Sequence, residues 1–192
     1  LCHAMEAYVS RKQNPFADAH AVLAMRAIPR SVRAVCADLG DAGAREALMA
    51  AATHAGIAFS NSSVTLIHGM SRPIGAHFHV PHGLSNAMLL PAVTAFSVRG
   101  APARYAEASR LMGFAGAADD DSAANAKLID GLLRLCQDLK VPSPATYGIP
   151  REKWTGLLDT MAEQALASGS PSNNPVVPEA DQIKDLYEEM YA

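Results

Sequence analysis

No run of apolar residues in this 192-residue chain approaches the ~18 to 20 needed to span a bilayer, and no cationic start leads into an apolar secretory segment. A basic cluster is missing as well. Sixteen Lys and Arg against nineteen Asp and Glu leave a net charge of -3, so neither nucleic acid nor an anionic membrane is an expected partner. Cysteine is scarce: Cys2, Cys36 and Cys136 are odd in number and widely spaced, which fits neither a disulfide framework nor a zinc finger and points to a reducing, cytoplasmic setting. Aromatics make up only 6% and the alternation expected of strands is absent, so no sheet of consequence is expected. There is no glycine-rich phosphate cradle either, since Gly113 and Gly116 stand isolated.

What is present is alanine, leucine and helical spacing. With 49% hydrophobic residues the chain can bury a real core, which excludes disorder. In residues 18–39 the positions Val22, Met25, Ile28, Val32, Val35 and Leu39 recur every three or four residues, with Pro29 expected to bend or interrupt the helix and Gly40 to stop it. Further helices are predicted over 42–54, over 60–70 with Pro73 and Gly75 ending it, and over 85–96, 102–112 and 123–139. The last carries Leu128, Leu132, Leu135 and Leu139 as a core stripe. Pro142 and Pro144 form a rigid connector, residues 151–166 are helical, 168–178 form a polar loop, and 179–190 make the final helix. Asp119, Asp120 and Asp121 read as a solvated loop and helix N-terminus. The expectation is one all-helical domain over residues 1–192. Because Leu1 already stands inside helical sequence with no cap before it, the chain is expected to be a fragment.

Four of the seven histidines, His68, His77, His79 and His82, fall within fifteen residues. Neutral imidazole is a common ligand for Zn and Fe, and a helix histidine and a loop histidine can face one point. Polar loop and core histidines explain the same composition, and no local spacing here is as diagnostic as H-E-x-x-H. His20 and His54 read as surface or packing residues, Cys2 as packing beside His3, and Met5, Met70 and Met88 as core filler.

The order of residues says more. His68-Gly69-Met70, Pro73-x-Gly75 and Pro81-His82-Gly83-x-x-Asn86-Ala87 with Leu89-Leu90-Pro91 resemble the iron-dependent (group III) alcohol dehydrogenase family. The resemblance continues through His3-Ala4-Met5-Glu6-Ala7-Tyr8, Ala58-Phe59-Ser60-Asn61, Asn173-Asn174-Pro175 and the acidic stretch ending Leu186-Tyr187-Glu188, and so covers the whole chain. It implies the all-α C-terminal half of the dehydroquinate synthase-like superfamily, a helical bundle that in family members follows a nucleotide-binding α/β domain. That N-terminal domain is not in this sequence. By the same resemblance His3, His68 and His82 take the places of three metal ligands for one divalent ion, Fe2+ or alternatively Zn2+. The family's fourth ligand, an aspartate four residues before the first histidine, would lie two residues before Leu1. Without it a ligand and a negative charge are missing, so the chain as given is expected to hold metal weakly or not at all.

The implied activity is metal-dependent alcohol dehydrogenation, with hydride passing between an alcohol or aldehyde and NAD or NADP held by the missing domain. The fragment alone is expected to be inactive and the parent to be a homodimer. Polyol dehydrogenases, maleylacetate reductases and dehydroquinate synthases are the alternatives within the superfamily. A non-catalytic helical protein that binds a metal or a partner is the alternative of another class. Two departures from the family pattern carry expectations. Arg72 stands where a relay histidine is common and cannot shuttle protons near neutral pH, so it is expected either to cap the helix C-terminus from the surface or to act on substrate or cofactor charge, with His77, His79 or water taking over the relay. Ser62, Ser63 and Thr65 replace smaller residues and are expected to alter the substrate or cofactor surface.

Overall fold

The structure, a computed structural model, describes residues 1–192 and contains eleven α-helices, two short 3-10 turns and no strand. The helices are α1 (Cys2–Val9), α2 (Pro15–Ala37), α3 (Ala42–Asn61), α4 (Leu66–Phe78), α5 (His82–Ser97), α6 (Pro102–Leu111), α7 (Asp121–Asp138), α8 (Pro144–Tyr147), α9 (Arg151–Gly156), α10 (Leu158–Ala167) and α11 (Ala180–Glu189). Local chemistry starts several of them. The side chains of Asn14, Asp41 and Asp120 accept from the backbone N–H of Ala17, Ala44 and Ala123, and proline opens α2, α6 and α8, where a missing N–H costs nothing.

Alanine sets how closely the helices approach. Ala17, Ala21 and Ala24 of α2 and Ala51, Ala55 and Ala58 of α3 are all buried, at spacings that keep each trio on one helical face. The two helices therefore pack side by side, joined only by the short turn of residues 38–41. α1 lies against both, with every residue from Ala4 to Val9 buried.

On the other side α4 packs on α5, α10 and the 3-10 turn Ser170–Asn173. Leu66 to Ser71, Pro73 and Ile74 are all buried. The approach of the turn depends on Gly69, because a Cβ there would lie 2.8 Å from Pro171 Cγ. α11 is pinned to the same helix: Tyr187 Oη donates to the Met70 carbonyl at 2.7 Å, and the buried Trp154 indole stacks on Phe78 and donates to the Tyr187 carbonyl.

Prolines break fewer helices than the sequence suggests. α2 runs unbroken through Pro29 for 23 residues, and the helix expected to end at Pro73 and Gly75 instead starts at Leu66 and continues to Phe78. An interior proline costs about 3 kcal/mol, and helices this deeply buried recover more than that from packing. The stop comes at His79, whose left-handed backbone (φ 56°) closes the helix. α3 extends to Asn61 and residues 151–166 divide at Leu157. The polar loop holds buried Asn173 and Asn174, whose amides tie it to Ser63 and Ser97.

Candidate metal centre

Three histidines from three helices meet at one point. α1 supplies His3, the first turn of α4 supplies His68, and His82 opens α5; one ligating nitrogen of each lies within 4.8 Å of the others. His3 is sandwiched, with Phe59 of α3 stacked 4.3 Å from its ring and His68 at 4.4 Å on the other side. His68 is buried while His82 is exposed, so the cluster opens to one side.

Glu6 organises this arrangement from behind. It follows His3 by three residues and so shares a helical face with it, and it is 1% exposed. Its Oε1 accepts from the Thr65 N–H (3.0 Å), the Thr65 hydroxyl (2.8 Å) and the His68 N–H (3.3 Å). A carboxylate from α1 thereby satisfies the free N–H groups that open α4, where the helix dipole favours negative charge. Its Oε2 pairs with His68 Nδ1. A carboxylate can only accept, so Nδ1 carries the proton and Nε2 keeps its lone pair toward the cluster, an arrangement shared by metal-ligating histidines.

Asn86 fills the front of the cluster. Its Nδ2 lies 3.1 Å from His82 Nε2 and 3.4 Å from His68 Nε2, while its Oδ1 is buried with no partner. An amide nitrogen only donates, so both imidazole nitrogens act as acceptors here. Burial, reinforced by His68, pushes His3 down to about 4 from its ordinary 6.5, and burial followed by His68 and Arg72 lowers His82. Neutral imidazole lone pairs turned to one point, with an amide oxygen left without a partner beside them, are a donor set that fits a cation, which would take the place of the Asn86 N–H groups.

Other expected site residues lie elsewhere. His77 follows His68 by nine residues, about 13 Å along α4 and on its opposite face, where its Nε2 meets Gln164 at 2.9 Å. His79 is exposed at the end of the helix. Neither joins the three-histidine cluster. Arg72, one turn after His68, does share its face and hydrogen-bonds Ser170 Oγ at 3.1 Å. The hydroxyls of Ser62, Ser63 and Thr65 point into the scaffold, to the Ala7 carbonyl, the Asn173 amide and Glu6, rather than onto an open surface. Cys2 packs as expected, its half-buried thiol pushed up to about 12 by desolvation and directed at the Asn86 backbone carbonyl. Glu6 and Asn86 are the functional candidates that the sequence reading passed over. Their only local signal is position, three residues after His3 and four after His82.

A wholly helical domain that turns three imidazoles toward one point defines the class. The C-terminal family model of the Fe-containing alcohol dehydrogenases matches residues 1–191, and the chain belongs to that family. It is 34% identical to an NADPH-dependent butanol dehydrogenase of Clostridium saccharobutylicum over all of this chain and 48% of that protein. To a 1,3-propanediol dehydrogenase of Klebsiella pneumoniae it is 32% identical, again over all of this chain and 49% of the relative. A crystal structure of a 1,3-propanediol oxidoreductase superposes with a TM-score of 0.93 at 31% identity, covering 99% of this chain and 49% of that one. A maleylacetate reductase from Agrobacterium tumefaciens superposes with a TM-score of 0.78 at 30% identity, covering 99% of this chain and 49% of that one. The chain thus spans about half the length of the relatives it matches.

Proposed function

We propose that this chain is the metal-binding half of an iron-type alcohol dehydrogenase that moves hydride between a small alcohol or aldehyde and NAD or NADP. The observation that carries the reading is the meeting of His3, His68 and His82 within 4.8 Å, with Glu6 fixing the tautomer of His68. These three histidines would hold a divalent ion, Fe2+ first and Zn2+ as the alternative, and such an ion supplies Lewis acidity that eases loss of an alcohol proton. Buried His68 is locked by Glu6, and His3 is held flat by Phe59, so the donors need little reorganisation. Arg72 places a permanent cation beside His82 and favours anionic charge on substrate or cofactor. His77 is hydrogen-bonded to Gln164 and His79 stands exposed at the end of α4, and proton transfer is assigned to water at the open side of the cluster.

The nicotinamide belongs to a nucleotide-binding half outside this chain, and the whole enzyme is proposed to be a cytoplasmic homodimer. Free thiols at all three cysteines support a reducing compartment, and exposed Leu39 and Met49 offer apolar surface for a subunit contact. No helix is long and apolar enough to cross a membrane. A maleylacetate reductase reading has one observation in its favour, the cation of Arg72, while the higher similarity to butanol and propanediol dehydrogenases favours simple alcohols.

The test is alcohol-dependent reduction of NAD(P)+ by this chain joined to its nucleotide-binding half. Activity should vanish with a chelator, return with Fe2+ or Zn2+, and be lost in His68→Ala. The 192-residue chain alone should show no turnover. Turnover by the chain alone, or full activity in the His68→Ala enzyme, would overturn the proposal. Arg72→Ala should raise KM for the cofactor or an anionic substrate while leaving metal content unchanged.

A further inference from the structure

A hollow of about 300 Å³ lies beside the three-histidine cluster, walled by residues of α1, α2, α3, α5 and α7. All its lining residues except His3 and Gly83 are hydrophobic, and none is a Lys, Arg, Asp or Glu. Ile28, Leu90 and Leu135 are buried and form its floor, while Val32, Leu48 and Leu139 are half-buried around it. The thiols of Cys2 and Cys136 are directed at the Asn86 and Ala87 carbonyls of α5, so they serve as apolar wall. The cluster is adjacent: His3 is part of the lining, and Gly83 follows His82 in the chain.

We propose that this hollow holds the alkyl chain of a neutral straight-chain alcohol or aldehyde, of the class of 1-hexanol and 1-octanol, with the oxygen-bearing end at His3. The assignment of that end rests on the dehydrogenase reading, and the assignment of the chain rests on the hollow alone. Size excludes larger ligands. Ligand sites run from ~300 to 1,000 Å³, and a hollow at the lower limit takes one slender chain rather than a nucleotide cofactor. The lining excludes charged ones. A carboxylate placed there would lose its hydration with no cation to replace it, so a fatty acid does not fit, whereas each methylene gains by leaving water.

The direction of the chain follows from the one imidazole in the lining. Both faces of the His3 ring are covered, by Phe59 and by His68, so its edge is what remains for a ligand oxygen. The rest of the chain then runs past Leu90 toward Leu135 and Leu139, where no side chain offers a hydrogen bond.

The 192-residue chain is titrated with 1-butanol, 1-hexanol and 1-octanol, followed by binding heat and by thermal melting. Affinity should rise about fourfold per added methylene until the hollow is full, and octanoate at neutral pH should bind roughly tenfold or more weakly than 1-octanol. Val32→Phe, which narrows the hollow, should weaken 1-octanol by about tenfold. A readout without any variant uses the cysteines: saturating 1-octanol should slow maleimide alkylation of Cys136 severalfold and leave exposed Cys36 unchanged. Equal affinity for 1-butanol and 1-octanol, octanoate binding as tightly as 1-octanol, or an unprotected Cys136 at saturating 1-octanol would overturn the proposal. None of these measurements needs turnover, so a chain that binds 1-octanol but gives an inactive joined enzyme would count against the dehydrogenase reading and not against the hollow.

Discussion

Glu6 holds two structures together at once, because the same carboxylate closes the N-terminus of α4 and fixes the proton of His68. Replacing it with Gln keeps the size and an oxygen for the three donors at Oε1, but puts an N–H donor in place of Oε2, against the proton on His68 Nδ1. Glu6→Gln should therefore lower metal affinity about 10- to 100-fold with little change in far-UV circular dichroism, as read by metal titration. His3 and His82 make a pH prediction for the metal-free chain. Both are harder to protonate folded than unfolded, His3 falling from 6.5 to about 4. Between those values the unfolded chain binds more protons, so stability is full above pH 6.5 and declines as pH falls toward 4. Thermal melting across that range should show the decline, and it should shrink in His3→Phe. The three cluster histidines were legible in the sequence through their setting in family-like motifs. Glu6 and Asn86 were not, because the role of Glu6 arises from a contact between residues 62 apart, and Asn86 gains meaning only once His68 and His82 converge.

At the scale of the element, α4 decides how the site is built. It carries His68 near its start and Arg72 one turn on, and it is held by the turn around Pro171 on one side and by Tyr187 on another. Gly69→Ala should push against Pro171 and cost about 1 to 3 kcal/mol, visible as a lower denaturation midpoint, because the contact is between a helix and a rigid ring. Periodicity revealed most helices, since three-to-four-residue apolar spacing survives any context. Their ends were harder to read. Pro29, Pro73 and Pro91 all lie inside helices, for the local cost of a proline is visible in sequence while the burial that outweighs it is a property of the assembled core. The 60–70 prediction missed its start at Leu66 for a related reason: the residue that completes that N-terminus is Glu6, which sits on another helix.

For the whole molecule, helical packing joins α1, α4 and α5 around three imidazoles, and the chain covers about half of each relative's length. Composition alone pointed to a helical domain, and order of residues pointed to the family. The convergence of three separate helices on one point is a property of the tertiary fold alone. The most direct test measures metal content after dialysis, anaerobically with Fe2+ and in parallel with Zn2+, in a chain extended so that an aspartate stands two residues before Leu1. One ion per chain should remain, lost in each of His3→Ala, His68→Ala and His82→Ala, and held more weakly or not at all without the added aspartate. Equal, tight binding by the extended chain and by its three histidine variants would contradict it.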